Sequence, residues 1–238
     1  MDENALIRVI HVRKVYRMGE ERVVALDDVS LDIRKGEFVC FLGTSGSGKS
    51  TFLNMVAGLE KPTKGEIWIG KVPIHKLNEA QVTIFRQKNI GFIFQAYHLM
   101  PSMTALENVA LPLMLKGVDK DKRIPMAEKA MEGVGLKGYE SRRPNQMSGG
   151  QQQRVGIARA LVGNPKIIFA DEPTGNLDSH TTKDVMDLIR AQVKAKGQTL
   201  ILVTHDRSIA EYADKIVTIQ DGNIINIEEK GKQEHEIA

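Results

Sequence analysis

Cysteine is nearly absent: Cys40 is the single one in 238 residues, set in the apolar run FVCFL (38–42). One thiol allows neither a disulfide framework nor a thiolate zinc cluster, and it fits a reducing compartment. Aromatic residues make up 5% of the chain, and no basic run is interleaved with them. The stacking platforms of single-strand nucleic-acid binders therefore have no counterpart, and nucleic acid is not an expected partner. Neither sign of charge is in excess, since 33 Lys and Arg against 30 Asp and Glu leave +3 with the signs interspersed. No apolar run approaches the roughly 18 residues of a membrane span. The N-terminal MDENALIRVI carries acids where a secretory leader carries bases. A soluble, cytosolic chain is expected, long enough for one domain with a subdomain inserted in it.

What is present is strand and helix in alternation. Residues 6–33 hold short apolar, β-branched runs broken by MGEE (18–21) and by Asp27–Asp28, which predicts antiparallel strands. A strand over 37–42 enters a glycine loop and a helix over 49–59, closed by Gly58 and Pro62. GEIWIG reads as a hairpin piece, 78–87 as an amphipathic helix, and IGFIF as a strand with Gly91 inside it. Thr104 and Glu107 form a capping box for TALENVALPLML, which Pro112 should kink. Pro125 suits the first turn of the next helix, and Gly135 its end. Strands return at 166–171 and 199–204, with a helix over 181–196 between them. KIVTIQ, the turn pair Asp221–Gly222 and NIINIE make a closing hairpin before a charged tail expected to fray. Alternation of this kind implies an α/β fold with a mostly parallel sheet. The expected layout is a single domain over 1–238: a core of about 1–96 and 164–238, an N-terminal antiparallel β subdomain, and an α-helical insertion at about 97–163.

GTSGSGKST spans Gly43, Thr44, Ser45, Gly46, Ser47, Gly48, Lys49, Ser50 and Thr51. It satisfies GxxxxGK followed by serine or threonine, directly after a strand and opening a helix, the setting a phosphate-binding loop requires. Glycines let backbone amides converge on phosphate oxygens, Lys49 supplies a point charge, Ser50 offers a hydroxyl to Mg²⁺, and the helix dipole adds positive potential. KIIFADEP ends an apolar strand in two carboxylates. Asp171 suits a Mg²⁺-organising acid, and Glu172, on the opposite side if the strand continues, suits a general base toward an in-line water. His205 after TLILVT is a candidate γ-phosphate contact, and Gln95 after IGFIF a candidate for orienting water or completing a Mg²⁺ shell; each by itself is also compatible with a plain solvated strand end. No Asn-Lys-x-Asp string occurs, which favours ATP over GTP. Tyr16 offers a π-face for the purine, although strand tyrosines also serve simply as packing.

RPNQMSGGQQQRVGIARAL (143–161) begins a helix on a serine and two glycines, residues that normally weaken a helix unless their bare amides are used. With Ser148 as N-cap, the amides of Gly149 and Gly150 make a second anion site. Nothing nearby supplies a second lysine or a second acid pair. Two copies paired head to tail, each lending this site to the ATP of the other, would explain the incompleteness.

In this combination of residues the chain resembles the ATP-binding cassette proteins, from Tyr16 to about Gly222. The resemblance implies that GTSGSGKST is the Walker A loop, Gln95 the Q-loop, MSGGQ with Gln151 the signature, IIFADE the Walker B strand, Asn176–Asp178 the D-loop, and His205 the H-loop. Met147 stands where leucine is usual and Thr44 where proline is frequent, and both keep bulk or backbone geometry. It further implies ATP and Mg²⁺ as cofactors, a homodimer with ATP at its interface, and integral membrane permease subunits that hold the chain at the inner face of the cell membrane. Within the family, ALDDVSLDIRKGEFV, IGFIFQAYHLMPSMTALENVALPL and FADEPTGNLDS look like the group serving lipoprotein release, macrolide export and cell-division permeases. An ATP-dependent scaffold on a cell-division-type permease stays open as an alternative to transport. A soluble cassette of DNA repair or translation would be expected to carry zinc modules, heptad arms or a tandem cassette, and none is present. Tyr97, Leu99, Met100 and Met103, directly after Gln95, are expected either to receive a cytoplasmic helix of the permease or simply to pack the helical subdomain.

Overall fold

The computed structural model describes residues 5–19 and 21–230, so the charged tail lies outside the described residues. In chain order the N-terminal half comprises β1 (Ala5–Met18), β2 (Glu21–Arg34), β3 (Phe38–Leu42), α1 (Lys49–Val56), β4 (Lys64–Ile69), β5 (Val72–Pro73), α2 (Glu79–Asn89) and β6 (Ile90–Phe94). Helices α3 (Ala105–Leu115), α4 (Lys120–Gly133) and α5 (Gly149–Leu161) follow, then β7 (Ile167–Asp171), α6 (Ser179–Ala195), β8 (Thr199–Thr204), α7 (Arg207–Ala210), β9 (Lys215–Gln220) and β10 (Asn223–Glu229). One sheet is four-stranded and antiparallel, ordered β2-β1-β4-β5. The other is six-stranded, ordered β10-β9-β3-β8-β7-β6, and parallel except for the β9–β10 hairpin. Among the described residues no helix is long and apolar enough to cross a membrane.

Strand alternation divides the interior in two. Phe38 and Cys40 of β3, Ile168 and Ala170 of β7, and Leu200 and Leu202 of β8 face one core, which α3, α4, α5 and α6 complete. Val39 and Phe41, Ile167 and Phe169, and Ile201 and Val203 face the other, closed by α1 and the antiparallel sheet. A strand buried on both faces reads as an unbroken apolar run because each alternate side chain has its own core to enter. Amphipathic α6 joins the first core through Val185, Met186, Ile189 and Val193, spaced to share one helix face.

Two expectations need correction. Asp27–Asp28 does not end a strand. β2 runs through it, because the β1–β2 register slips near Val12 and Asp28 takes a left-handed φ of 57°. His11, at φ 46°, binds the Asp28 carboxylate through Nδ1 at 2.8 Å, so the irregularity is bonded across the pair rather than open. Pro125 is not in the first turn either, since α4 starts at Lys120. Pro125 and Asp121, whose carbonyl loses its donor, are both exposed, so solvent can take the place of the missing bond. The capping boxes of Thr104 with Glu107 and of Asn78 with Gln81 are formed.

At the edge of the parallel sheet where β3 begins, Lys215 is buried. Its Nζ pairs with Glu37 Oε1 at 2.9 Å and Glu229 Oε1 at 3.4 Å, and donates to the Asp32 carbonyl at 3.4 Å. The lysine thus joins β9 to β10, to β2 and to the residue entering β3.

Candidate functional site

The candidate site begins where β3 ends. A β-carbon on Gly43 would lie 2.3 Å from the Ile219 carbonyl oxygen, and one on Gly48, at φ 104°, 2.4 Å from that of Ala25. Only glycine fits at either place, so the loop is pressed on β9 and β2 at two points. Gly48 caps α1 without any side-chain bond, which leaves the amides of the helix start facing the loop. Lys49 is buried, its Nζ donating to the Thr44 carbonyl at 2.6 Å and reaching Ser47 Oγ at 3.4 Å. Burial pulls its pKa down, opposed by Glu172 and Asp171. Burial likewise pushes the Asp171 pKa up, reinforced by Glu172 and opposed by Lys49 and by a hydrogen bond with the Ser50 side chain. Lys49, Ser50, Asp171 and Glu172 therefore share one electrostatic site, as the parallel order β3-β8-β7 requires of the ends of β3 and β7.

Glu172 arrives by a different route from the one its sequence position suggests. The strand stops at Asp171 and Glu172 takes a left-handed φ of 44°, with its N–H bonded to the Val203 carbonyl at 2.9 Å. This turn, not continued alternation, sets the carboxylate apart from Asp171. His205 Nδ1 lies 2.9 Å from Glu172 Oε1, so the histidine holds this carboxylate in place. Gln95 follows β6, whose Phe94 is in register with Asp171. Its Nε2 reaches Asn176 Oδ1 at 3.4 Å, and Asn176 Nδ2 donates to its carbonyl at 3.0 Å. Tyr16 donates its hydroxyl to Glu60 Oε2 at 2.7 Å, with Lys14 Nζ 5.0 Å from the ring centroid. Burial first, then Glu60, raises the tyrosine pKa.

Ser148 is the N-cap of α5. Its Oγ accepts from Gln151 N at 3.3 Å, and Gln151 Oε1 accepts from Ser148 N at 3.0 Å. This box uses the first and last amides of the motif and leaves those of Gly149 and Gly150 outside it. Ser148–Gln151 line a cavity of about 380 Å³ with Asn176, Leu177 and Asp178, and no residue of the 43–51 loop is among its lining. Asp178 caps α6, accepting from Thr181 N at 3.0 Å and from Thr181 Oγ1 at 2.6 Å, and these bonds hold its carboxyl below the usual range.

Residues 26–175 match the model of the ABC transporter family. The chain belongs to that family. It is 49% identical over 222 residues to an uncharacterized ABC transporter ATP-binding protein, MJ1508, of Methanocaldococcus jannaschii, covering 93% of this chain and 99% of the relative. It is 43% identical to a macrolide export ATP-binding/permease protein, MacB, of Mannheimia succiniciproducens, over 94% of this chain and 35% of that one. The ATP-binding cassette MJ0796, solved as a dimer in a post-hydrolysis state bound to ADP and Pi, superposes with a TM-score of 0.87 at 43% identity, covering 94% of this chain and 98% of that one. The chain has the fold of an ABC ATPase cassette.

In this ABC cassette the sequence reading missed four partners. Asn176 was read only as part of the D-loop, although an asparagine amid small turn residues is well suited to bridge neighbouring backbones. Glu60 and Lys14, which hold Tyr16, carry no local signal because they come from distant segments. Arg159 stands inside the buried run VGIARAL, and a charge in such a run is itself a sign that it has an internal partner. Of the four apolar residues after Gln95, Met100 is exposed at 46%, whereas Leu99 packs against the first core and Tyr97 and Met103 are half-buried.

Proposed function

We propose that this cassette hydrolyses Mg²⁺-bound ATP at a site completed by a second copy of itself, and thereby drives a membrane permease of the lipoprotein-release or macrolide-export type. That no residue of the 43–51 loop lines the Ser148–Gln151 cavity is the observation that carries this reading. One chain would then hold two anion-binding halves, and MJ0796 is a dimer. Backbone amides of 43–48 would cradle the phosphates, with Lys49 leaving the Thr44 carbonyl for phosphate oxygens, and Tyr16 would stack on the purine. Ser148, Gly149, Gly150, Gln151 and Asp178 would reach the nucleotide of the other copy. Residues of about 97–163 would then act as a helical subdomain that carries this second half.

The donor set fits Mg²⁺. Ser50 and Asp171 are hard oxygen donors already hydrogen-bonded to each other, and among the described residues no group of three or more His, Cys, Asp or Glu could hold a metal ion by itself. That suits an ion completed by water and substrate phosphate rather than an all-protein cage. Ser50, Asp171 and Gln95 would hold the ion, which supplies charge neutralisation on the phosphates. Glu172 takes the proton of the attacking water, and His205 keeps that carboxylate aimed through the 2.9 Å bond.

Two individually dead variants test the shared site. In a mixed dimer of Lys49→Ala and Ser148→Arg, one interface combines both lesions and the other regenerates a whole site. ATP-dependent heterodimers with occluded nucleotide are expected. If both motifs served one nucleotide within one chain, mixing would restore nothing. For the permease, an apolar cavity of about 230 Å³ lined by Phe92, Phe94, Leu111 and Leu115, the last 65% exposed, offers a seat for an apolar helix. Leu115→Lys should abolish copurification with the permease and keep basal ATPase within about twofold, because an exposed position tolerates charge. Unchanged copurification would remove the groove from the docking role.

A further inference from the structure

The backbone directly after Gln95 is bent against its own preference. The His98 N–H bonds to the Ala96 carbonyl at 2.5 Å, a three-residue γ-turn whose centre, Tyr97, has φ 55°. With a positive central φ this is the rare, strained form of the turn. His98 follows at φ 47°, so two successive non-glycine residues are left-handed. Such conformations persist only where surrounding groups over-determine them. Here the Phe94 ring, its centroid 4.7 Å from that of His98, and one guanidinium do so. Arg159 of α5 donates from Nη1 to the His98 carbonyl at 2.5 Å and from Nη2 to the Tyr97 carbonyl at 2.6 Å. Burial lowers the pKa of this half-buried arginine. Its planar fork is spent on two consecutive main-chain oxygens, a geometry a lysine cannot copy.

Both flanks of the bend carry further bonds. Upstream, Gln95 is bonded to Asn176 through its carbonyl and its side-chain amide. Downstream, the buried Asn108 side chain accepts from Met100 N at 2.7 Å and donates to the carbonyls of Met100, Met103 and Thr104. The bend between these two anchored flanks sets the direction in which the chain leaves Gln95. We infer that Arg159 is a positioning residue for Gln95: by holding the Tyr97 and His98 carbonyls it keeps the Gln95 carboxamide where Asn176 can bind it, and so ties that side chain to the helix that begins at Ser148. The kinetic part rests on the reading that Gln95 serves the nucleotide site. Arg159 touches neither nucleotide nor metal in this account and acts through the loop.

The test compares Arg159→Lys, His98→Gly, the double variant Arg159→Lys/His98→Gly, and Gln95→Ala alone and combined with Arg159→Lys, all in the full chain. Arg159→Lys should lower ATPase kcat by roughly ten- to a hundredfold, the scale of an ångström-sized misplacement, with KM for ATP and the affinity for a fluorescent ATP analogue within about twofold. Amide hydrogen exchange at Ala96–Met100 should quicken in the same variant. Glycine accepts positive φ without strain, so His98→Gly should restore most of the lost kcat and the slow exchange to Arg159→Lys. Gln95→Ala/Arg159→Lys should be no slower than Gln95→Ala. His98→Val with Arg159 intact, a β-branched residue that resists the left-handed region, should reproduce the defect even if the arginine variant unfolds. Losses that multiply in the Gln95 combination, or a His98→Gly change that restores neither rate nor protection, would overturn the proposal. Unaltered turnover in Gln95→Ala alone would instead overturn the reading of Gln95 and the kinetic role with it, while the exchange data still decide whether Arg159 holds the turn.

Discussion

Glu172→Gln is expected to cut steady-state ATP turnover by about 10²- to 10⁴-fold, the contribution of a positioned general base. The substitution is nearly isosteric. It keeps an oxygen for His205, now 2.9 Å from the carboxylate, and it keeps the left-handed turn at φ 44°, since neither depends on charge. What it removes is basicity toward the attacking water. It also removes a negative neighbour of Lys49 and Asp171, both of which feel Glu172. The Asp171 carboxylate is then more readily ionised and the Lys49 ammonium somewhat less favoured, two changes that act in opposite directions on nucleotide affinity. ATP binding should therefore stay within about tenfold, the net of two opposed electrostatic terms near 1 kcal/mol each. The ATP-bound form should accumulate as a dimer in gel filtration. Near-normal turnover would take the base role away from Glu172.

The second large effect concerns stability. Glu37→Ala leaves the Lys215 ammonium buried without its 2.9 Å partner and with Glu229 at 3.4 Å. It also removes the acceptor of the Arg34 N–H, bonded to Glu37 Oε2 at 2.7 Å. Breaking a buried pair from one side costs about 3–5 kcal/mol, because the surviving charge stays desolvated. Urea unfolding should show the midpoint fall with an unchanged slope. Removing both charges in Glu37→Leu/Lys215→Met should recover most of that loss, since a buried ion pair exchanged for apolar contacts is often close to neutral. A double variant as unstable as Glu37→Ala would locate the contribution in the Arg34 bond instead. ATP affinity below the transition should be unaffected, as the phosphate loop lies at the other end of β3.

Signals carried by contiguous residues were legible, and those made by distant residues were not. GTSGSGKST announces strand, loop and helix at once, and the structure adds only which carbonyls, Ile219 and Ala25, make Gly43 and Gly48 obligatory. Thr104 with Glu107 and Ser148 with Gln151 are capping boxes closed over three residues, so their chemistry is complete in the sequence. Asp27–Asp28 misleads because the bulge that absorbs it depends on His11 across the ladder. Pro125 misleads because proline reports a missing donor, not the distance to the helix start. Glu172 was placed by strand alternation, and alternation ends one residue too early to apply. Arg159 and Asn176 act on backbone carbonyls more than sixty residues away in the chain, and no local pattern encodes such a partner.

The strand order has a consequence for how the molecule is made. β3 leads into the 43–51 loop, yet both of its neighbours, β8 and β9, lie within residues 199–220. On the ribosome, the antiparallel hairpin of β1 and β2 can pair as soon as it emerges, while β3 waits with its two edges open until nearly the whole described chain has been synthesised. At about 5–20 residues per second that is a wait of order ten seconds or more, during which an apolar strand with Cys40 and Phe41 on opposite faces has nothing to pair with. Nascent cassettes should accordingly be most vulnerable to aggregation and to thiol oxidation before β9 appears, and should depend most on chaperones over that interval.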